Sequence, residues 1–182
     1  MQAANWFFDQ SETYKRDIAI DKSPCHRGWY TIGGEILDAE THPEGDYKEG
    51  LKIGQDLAPS HPLVIKGLPL HGPNLWLEED PSLGSHCPAR AFNTSLRTAY
   101  QKFSAVSSRL MQAFALGLNL PETYFDRYLQ IPMATLSPIY YPPLPETGDR
   151  ISAGAHTDFG CLSLLAQDAT GGLEILSPDA NW

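Results

Sequence analysis

The sequence predicts an α+β fold in which a long amphipathic helix backs antiparallel strands. Two patterns carry this expectation. Apolar residues recur at helical spacing from Phe92 to Phe114, and beyond Gln130 the spacing changes to short extended runs broken by Pro and Gly. A length of 182 residues with 42% hydrophobic content suits one compact domain with a real core.

Taken in order, Met1 to Asp9 is a first helical segment with Trp6, Phe7 and Phe8 apolar. His26 to Leu83 is rich in Gly, Pro, Asp and Glu, so loops and short elements are expected, among them a short helix around Asp46 to Ile53. The clearest element follows. Phe92, Leu96, Tyr100, Phe103, Val106, Leu110, Ala113 and Phe114 form one stripe, with Arg97, Lys102 and Arg109 on other faces. Pro88 suits the first turn of this helix and Gly117 its stop, which gives roughly seven to eight turns. A second short helix is expected from Pro121, burying Tyr124, Phe125 and Tyr128. Strands are expected at Met133–Tyr141, Ile151–Thr157, Cys161–Gln167 and Leu173–Leu176. Ser177 to Asn181 then forms a hairpin turn, and Trp182 begins the returning strand.

Charge and cysteine usage narrow the function classes. The formal charge is −9 and no Lys/Arg cluster occurs, which argues against a nucleic-acid partner, because phosphate binding needs clustered cations. The three cysteines, Cys25, Cys87 and Cys161, lie far apart and fit neither a disulfide framework nor a zinc motif, so a reducing compartment is expected. No apolar run is long enough to cross a bilayer, and acidic residues between Met1 and Tyr14 interrupt any signal-like stretch. A cytoplasmic protein without a membrane partner is the expectation.

The segment Gly154-Ala155-His156-Thr157-Asp158-Phe159-Gly160 carries the chemistry. On an extended chain, residues i and i+2 share a face, so His156 and Asp158 can aim an imidazole nitrogen and a carboxylate oxygen at one point. These are two of the three donors of a 2-His-1-carboxylate site, which leaves positions open on iron(II). A His-x-Asp pair alone is also compatible with a strand-end pair bonded to itself. The other histidines (His26, His42, His61, His71 and His86) sit mostly in loops beside Pro or Gly and are expected to be turn or surface residues.

The surroundings of that pair change the weighing. The stretch resembles the isopenicillin-N-synthase-like branch of the 2-oxoglutarate/iron(II)-dependent oxygenases. The resemblance runs through the long helix, Tyr140-Tyr141-Pro142-Pro143, Gly154 to Gly160, Leu162 to Asp168 and Gly171-Gly172-Leu173-Glu174-Ile175. Upstream it includes Arg27-Gly28-Trp29-Tyr30, Asp46-Tyr47-Lys48-Glu49 and His71 to Trp76, so it covers nearly the whole chain in order. By motif the chain is similar to the microbial ethylene/succinate-forming group, sharing Gly154 to Asp158 and the Gln167-Asp168 pair.

This resemblance implies a partial double-stranded β-helix, the cupin-like jelly roll, backed by the long helix. It implies three regions: an N-terminal non-haem dioxygenase-like region over 1–88, the spine helix and following short helix over 89–130, and the first part of the jelly roll over 131–182. Fe(II), 2-oxoglutarate and O2 would be cofactor and co-substrates, with a small-molecule substrate oxidised at an unactivated C–H bond. His156 and Asp158 match the first two metal ligands. Tyr141 matches a tyrosine whose hydroxyl contacts the co-substrate carboxylate, although a core aromatic with a satisfied hydroxyl is equally compatible. Leu162 and Leu164 share a face and would line the substrate pocket or the core. Ile139 departs from the branch, many plant members of which carry Asn there.

The resemblance also implies a later His and an Arg-x-Ser/Thr pair, and no His or Arg follows Asp158. The chain is therefore expected to be truncated at both ends and inactive as it stands. Two other readings follow from the same gap: a non-catalytic fragment acting as an interaction module, and a dimer whose two chains complete one barrel by strand exchange.

Overall fold

A computed structural model describes residues 1–146 and 149–177. Its regular elements are helices α1 (Gln2–Phe8) and α2 (Glu12–Lys15), strands β1 (Gly28–Tyr30) and β2 (Glu49–Gly54), helices α3 (Pro62–Ile65) and α4 (Pro88–Gly117), and strands β3 (Thr135–Leu136) and β4 (Ile139–Tyr140). The predicted α+β architecture is present as an antiparallel sheet with the long helix α4 beside it.

Strand β2 organises the sheet. On one edge β1 pairs antiparallel to it, with Trp29 opposite Leu51. On the other edge both short strands pair with it: Ile53 lies opposite Leu136 and Gly50 opposite Ile139. The two pairings keep one register, so β3 and β4 are a single strand interrupted at Ser137 and Pro138. Proline has no N–H for the ladder, yet the Pro138 carbonyl still accepts from the Leu51 N–H at 3.0 Å. The strand expected over Met133–Tyr141 is thereby reduced to two short pieces.

Sequence periodicity explains why residues around Asp46 to Ile53 form a strand and not the expected short helix. Glu49, Leu51 and Ile53 alternate with Gly50, Lys52 and Gly54. The first set faces the core, where Leu51 and Ile53 are 1% exposed. The second set leaves room on the other face. A Cβ at Gly50 would meet the Tyr30 ring, and one at Gly54 would meet the Arg27 guanidinium.

The core lies between α1, the sheet and the first half of α4. Phe7 of α1 stacks on Phe92 of α4 with ring centroids 4.7 Å apart, and Trp6 meets the same ring at 5.9 Å. Phe8 stacks on Tyr140 at 5.6 Å and so ties α1 to β4. Helix α4 is 30 residues long, about eight turns, and starts with Pro88 as expected. Gly117 is its last helical residue. The left-handed position beyond the end is taken by Asn119 (φ 57°), and the Leu120 N–H closes back on the Ala115 carbonyl at 2.9 Å.

The apolar stripe of α4 is covered unevenly. Phe92 and Leu96 are buried, whereas Val106, Leu110 and Phe114 are exposed, because the four-stranded sheet and α1 reach only its N-terminal half. The expected helix from Pro121 is a single 3-10 turn at Asp126–Tyr128, and Tyr124 and Tyr128 are exposed, not buried. The strands expected at Ile151–Thr157, Cys161–Gln167 and Leu173–Leu176 have no pairing among the described residues. Among the described residues, no strand lies alongside them to accept a ladder. The expected turn at 178–181 and the strand start at Trp182 lie outside the described residues. None of the described helices is long and apolar enough to cross a membrane.

Candidate functional site

The chain leading to His156 is held by contacts with the loop before β2 and not by a strand ladder. The Tyr47 N–H donates to the Ile151 carbonyl at 2.8 Å. The Arg150 guanidinium lies 5.1 Å from the Tyr47 ring centroid and donates to the Gly45 carbonyl at 3.3 Å. The Gly154 N–H donates to Asp46 Oδ1 at 3.1 Å. Glycine is required at 154, since a Cβ there would lie 2.6 Å from the Asp38 Cβ.

Beyond Gly154 the two candidate ligands come together. His156 Nε2 and Asp158 Oδ1 are 3.5 Å apart, with side chains 37% and 51% exposed. His156 Nδ1 donates to the Gly154 carbonyl at 2.8 Å, which leaves Nε2 on the side of Asp158. One nitrogen and one oxygen therefore converge on a space small enough for a single cation to touch both. Among the described residues no third His, Cys, Asp or Glu joins them. The donor set fits two positions of a three-ligand site for iron(II) and does not fill the third.

Tyr141 follows β4 and is 48% exposed. Its phenol is raised above the ordinary value of 10.0 by partial burial, opposed by nearby Lys48 and reinforced by Asp46 and Glu35. It is thus a protonated donor at neutral pH. Leu162 and Leu164 are half-buried, while Ser163 and Leu165 between and beyond them are exposed. His71 sits in a turn with Nδ1 2.8 Å from the Pro69 carbonyl, far in role from the His156 pair.

Sequence reasoning missed the ionic cluster beside this site. Asp46 is 1% exposed and its Oδ2 lies 2.8 Å from Lys48 Nζ. The same ammonium, itself 2% exposed, lies 2.9 Å from Glu35 Oε2, and Glu35 Oε1 takes Lys52 Nζ at 2.7 Å. Burial alone would lower the Lys48 ammonium, but its bonds to Asp46 and Glu35 outweigh that and hold it above the ordinary lysine value. For Glu35 burial pushes upward, and Lys52 and Lys48 outweigh it to leave the carboxyl below 4.5. The signal was available in the opposite charges of Asp46-x-Lys48, which a tight turn at Tyr47 brings together, the Lys48 N–H closing on the Asp46 carbonyl at 2.9 Å.

The lowered Glu35 carboxyl sets a pH dependence. Its folded pKa is depressed, so its stabilisation is present above the ordinary 4.5 and is lost as pH falls through the folded value. Urea midpoints measured at pH 7, 4.5 and 3.5 should fall less steeply for Glu35→Gln than for the parent. Equal slopes would remove this assignment. Lys48 works in the opposite sense, with stability lost only as pH rises past the ordinary 10.5.

Residues 1–79 match the family described as non-haem dioxygenase in morphine synthesis N-terminal, and residues 132–182 match the 2OG-Fe(II) oxygenase superfamily. The chain is 33% identical over 188 residues to the 2-oxoglutarate-Fe(II) type oxidoreductase hxnY of Emericella nidulans, covering 100% of this chain and 51% of that protein. It is 30% identical over 185 residues to the 2-oxoglutarate-dependent ethylene/succinate-forming enzyme of Ralstonia nicotianae, covering 97% of this chain and 50% of that one. A full-length Neurospora crassa protein, solved in complex with alpha-KG, shares the fold at a TM-score of 0.63 and 23% identity over 87% of this chain and 46% of that one. The chain spans about half the length of the curated relatives it matches. With residues 1–79 and 132–182 matched in order and relatives of that type aligned along the whole chain, the chain belongs to the 2OG-Fe(II) oxygenase superfamily.

Proposed function

We propose that this chain supplies the first two metal ligands and the co-substrate tyrosine of a non-haem iron(II), 2-oxoglutarate-dependent oxygenase acting on a small molecule. One observation carries the reading: His156 Nε2 and Asp158 Oδ1 face each other at 3.5 Å. The Gly154 carbonyl supports it by holding the other ring nitrogen. Within this reading the chain divides into 1–88, 89–130 and 131–182.

Bound there, iron(II) with 2-oxoglutarate and O2 supplies the oxidising chemistry for a C–H bond. The chain's own contribution is to hold and orient. His156 would offer Nε2 because its Nδ1–H is engaged by the Gly154 carbonyl, and Asp158 would offer a carboxylate oxygen beside it. The protonated Tyr141 hydroxyl donates to a carboxylate of the co-substrate. Leu162 and Leu164 present an apolar side that keeps water from the substrate. A small-molecule substrate is in keeping with the same-fold Neurospora crassa protein, whose full-length form was also solved in complex with alpha-KG and thymine (TM-score 0.56, 22% identity, 78% of this chain and 40% of that one).

Anaerobic calorimetric titration with Co(II) as a stand-in tests the ligand pair. His156→Ala and Asp158→Ala are each expected to weaken binding at least about tenfold, a loss of roughly 1.4 kcal/mol or more, while His71→Ala leaves it unchanged. Tyr141→Phe should weaken 2-oxoglutarate binding about tenfold, the order set by one hydrogen bond to a charged group. Unchanged Co(II) affinity in both ligand variants would sink the proposal.

A further inference from the structure

We propose that Asp46 is a positioning residue for the His156–Asp158 pair, and that Lys48 holds its carboxylate in place. This rests on the metal-site reading above. Three observations on different parts of the chain lead to it.

The first concerns what holds the ligand segment. No strand pairing holds residues 151–177 among those described, so His156 is not fixed by a ladder. Its local geometry comes from Gly154, whose carbonyl takes the ring at 2.8 Å. The N–H of that same glycine is held by Asp46 Oδ1 at 3.1 Å. One residue thus connects the buried carboxylate on one side to the imidazole on the other.

The second concerns the carboxylate itself. Asp46 is 1% exposed, so burying it needs partners, and it has two of different kinds: the Gly154 N–H through Oδ1 and Lys48 Nζ through Oδ2 at 2.8 Å. Its backbone is fixed as well. The Asp46 N–H donates to the Glu35 carbonyl at 2.9 Å, and its carbonyl accepts from the N–H groups of Gly33 and Lys48, both at 2.9 Å. An acceptor pinned this way sets where Gly154 sits.

The third concerns fit. Gly154 packs so closely that a Cβ would lie 2.6 Å from the Asp38 Cβ and 3.0 Å from the Asp38 N. The segment therefore has one seat. Asp46 acts through the Gly154 backbone on which ring nitrogen of His156 carries the proton, and so on which one is free to bind.

The test separates positioning from mere stability by the histidine ring itself. In 15N NMR spectra of the neutral ring, the parent should show His156 with the proton on Nδ1, and hydrogen exchange should show a protected Gly154 amide. Asp46→Asn keeps an acceptor and leaves Lys48 its Glu35 partner, so both signatures should persist, with Co(II) affinity within about threefold of the parent. Asp46→Ala removes the acceptor. It should release the Gly154 amide, mix the two ring tautomers, and weaken Co(II) binding about tenfold to hundredfold, the range for losing a group that orients a ligand.

A folded Asp46→Ala protein with a protected Gly154 amide and an unmixed ring would overturn the inference. If Asp46→Ala does not fold, Asp46→Leu decides, because it keeps the side-chain volume and removes the acceptor of the Gly154 N–H. Ring mixing and a released Gly154 amide in folded Asp46→Leu support the inference, and an unmixed ring with a protected amide overturns it. Co(II) affinity that is insensitive to His156→Ala would strike the metal-site reading instead, and the metal-free ring and amide signals would still decide the role of Asp46.

Discussion

Phe92→Ala should lower the stability of the folded chain by about 3–5 kcal/mol, the cost of removing a buried aromatic and leaving a cavity. Phe92 is 2% exposed and sits where three elements meet. Phe7 stacks flat on it at 4.7 Å, Trp6 approaches at 5.9 Å, and the packed cluster continues into Leu51 and Ile53 of the sheet. Removing the ring takes away both apolar burial and the ring contacts that hold α1 against α4. Urea unfolding followed by far-UV circular dichroism should show a midpoint lowered by roughly 1.5–2.5 M. Val106 lies on the same helix but is 51% exposed, and Val106→Ala should change stability by no more than about 0.5 kcal/mol. Equal effects at the two positions would mean that the sequence stripe and not the observed core governs α4. The consequence reaches the candidate site, since α1 also stacks Phe8 on Tyr140, the neighbour of Tyr141.

Glu49→Ala should cost about as much, roughly 3–5 kcal/mol, for an electrostatic reason. Glu49 takes Lys15 Nζ on both oxygens, at 2.8 and 2.7 Å, and the Trp29 indole N–H at 2.6 Å. Lys15 and Glu49 are each 7% exposed, and the ammonium also donates to the Phe8 carbonyl at 3.1 Å. Deleting the carboxylate strands a buried cation and an indole donor together. The double variant Lys15→Met with Glu49→Gln tests that cause. It removes both charges while leaving an amide oxygen for Trp29, so it should recover most of the loss. If the double variant is as unstable as Glu49→Ala, the penalty comes from packing and not from the unpaired charge. This pair fastens the first helices to β2, the strand on which β3 and β4 assemble.

Several features were legible in the residues themselves. The stripe from Phe92 gave the long helix with its Pro88 start, because helical spacing repeats over many turns and averages out local exceptions. The alternation in His156-x-Asp158 pointed to two donors on one side, and the motifs around it pointed to the family. Short elements were harder to read. Residues around Asp46 to Ile53 carry both a helical and an alternating reading, and the glycines at 50 and 54, which admit Tyr30 and Arg27, favour the alternating one. The burial expected of Tyr124 and Tyr128 failed, and Val106, Leu110 and Phe114 of the stripe are exposed, because periodicity says which side is apolar but not how far the covering layer extends.

What the sequence determined by itself is therefore local and repetitive: the α+β order and the spine helix. The tertiary structure alone decided that a single β2 collects three pairings, that Pro138 splits its partner, and that Asp46 reaches Gly154 from 108 residues away. Such contacts depend on which buried polar groups find one another once water is excluded. A carboxylate that must be paired inside the protein takes whatever donor the folded chain brings to it, and no spacing along the sequence encodes that meeting.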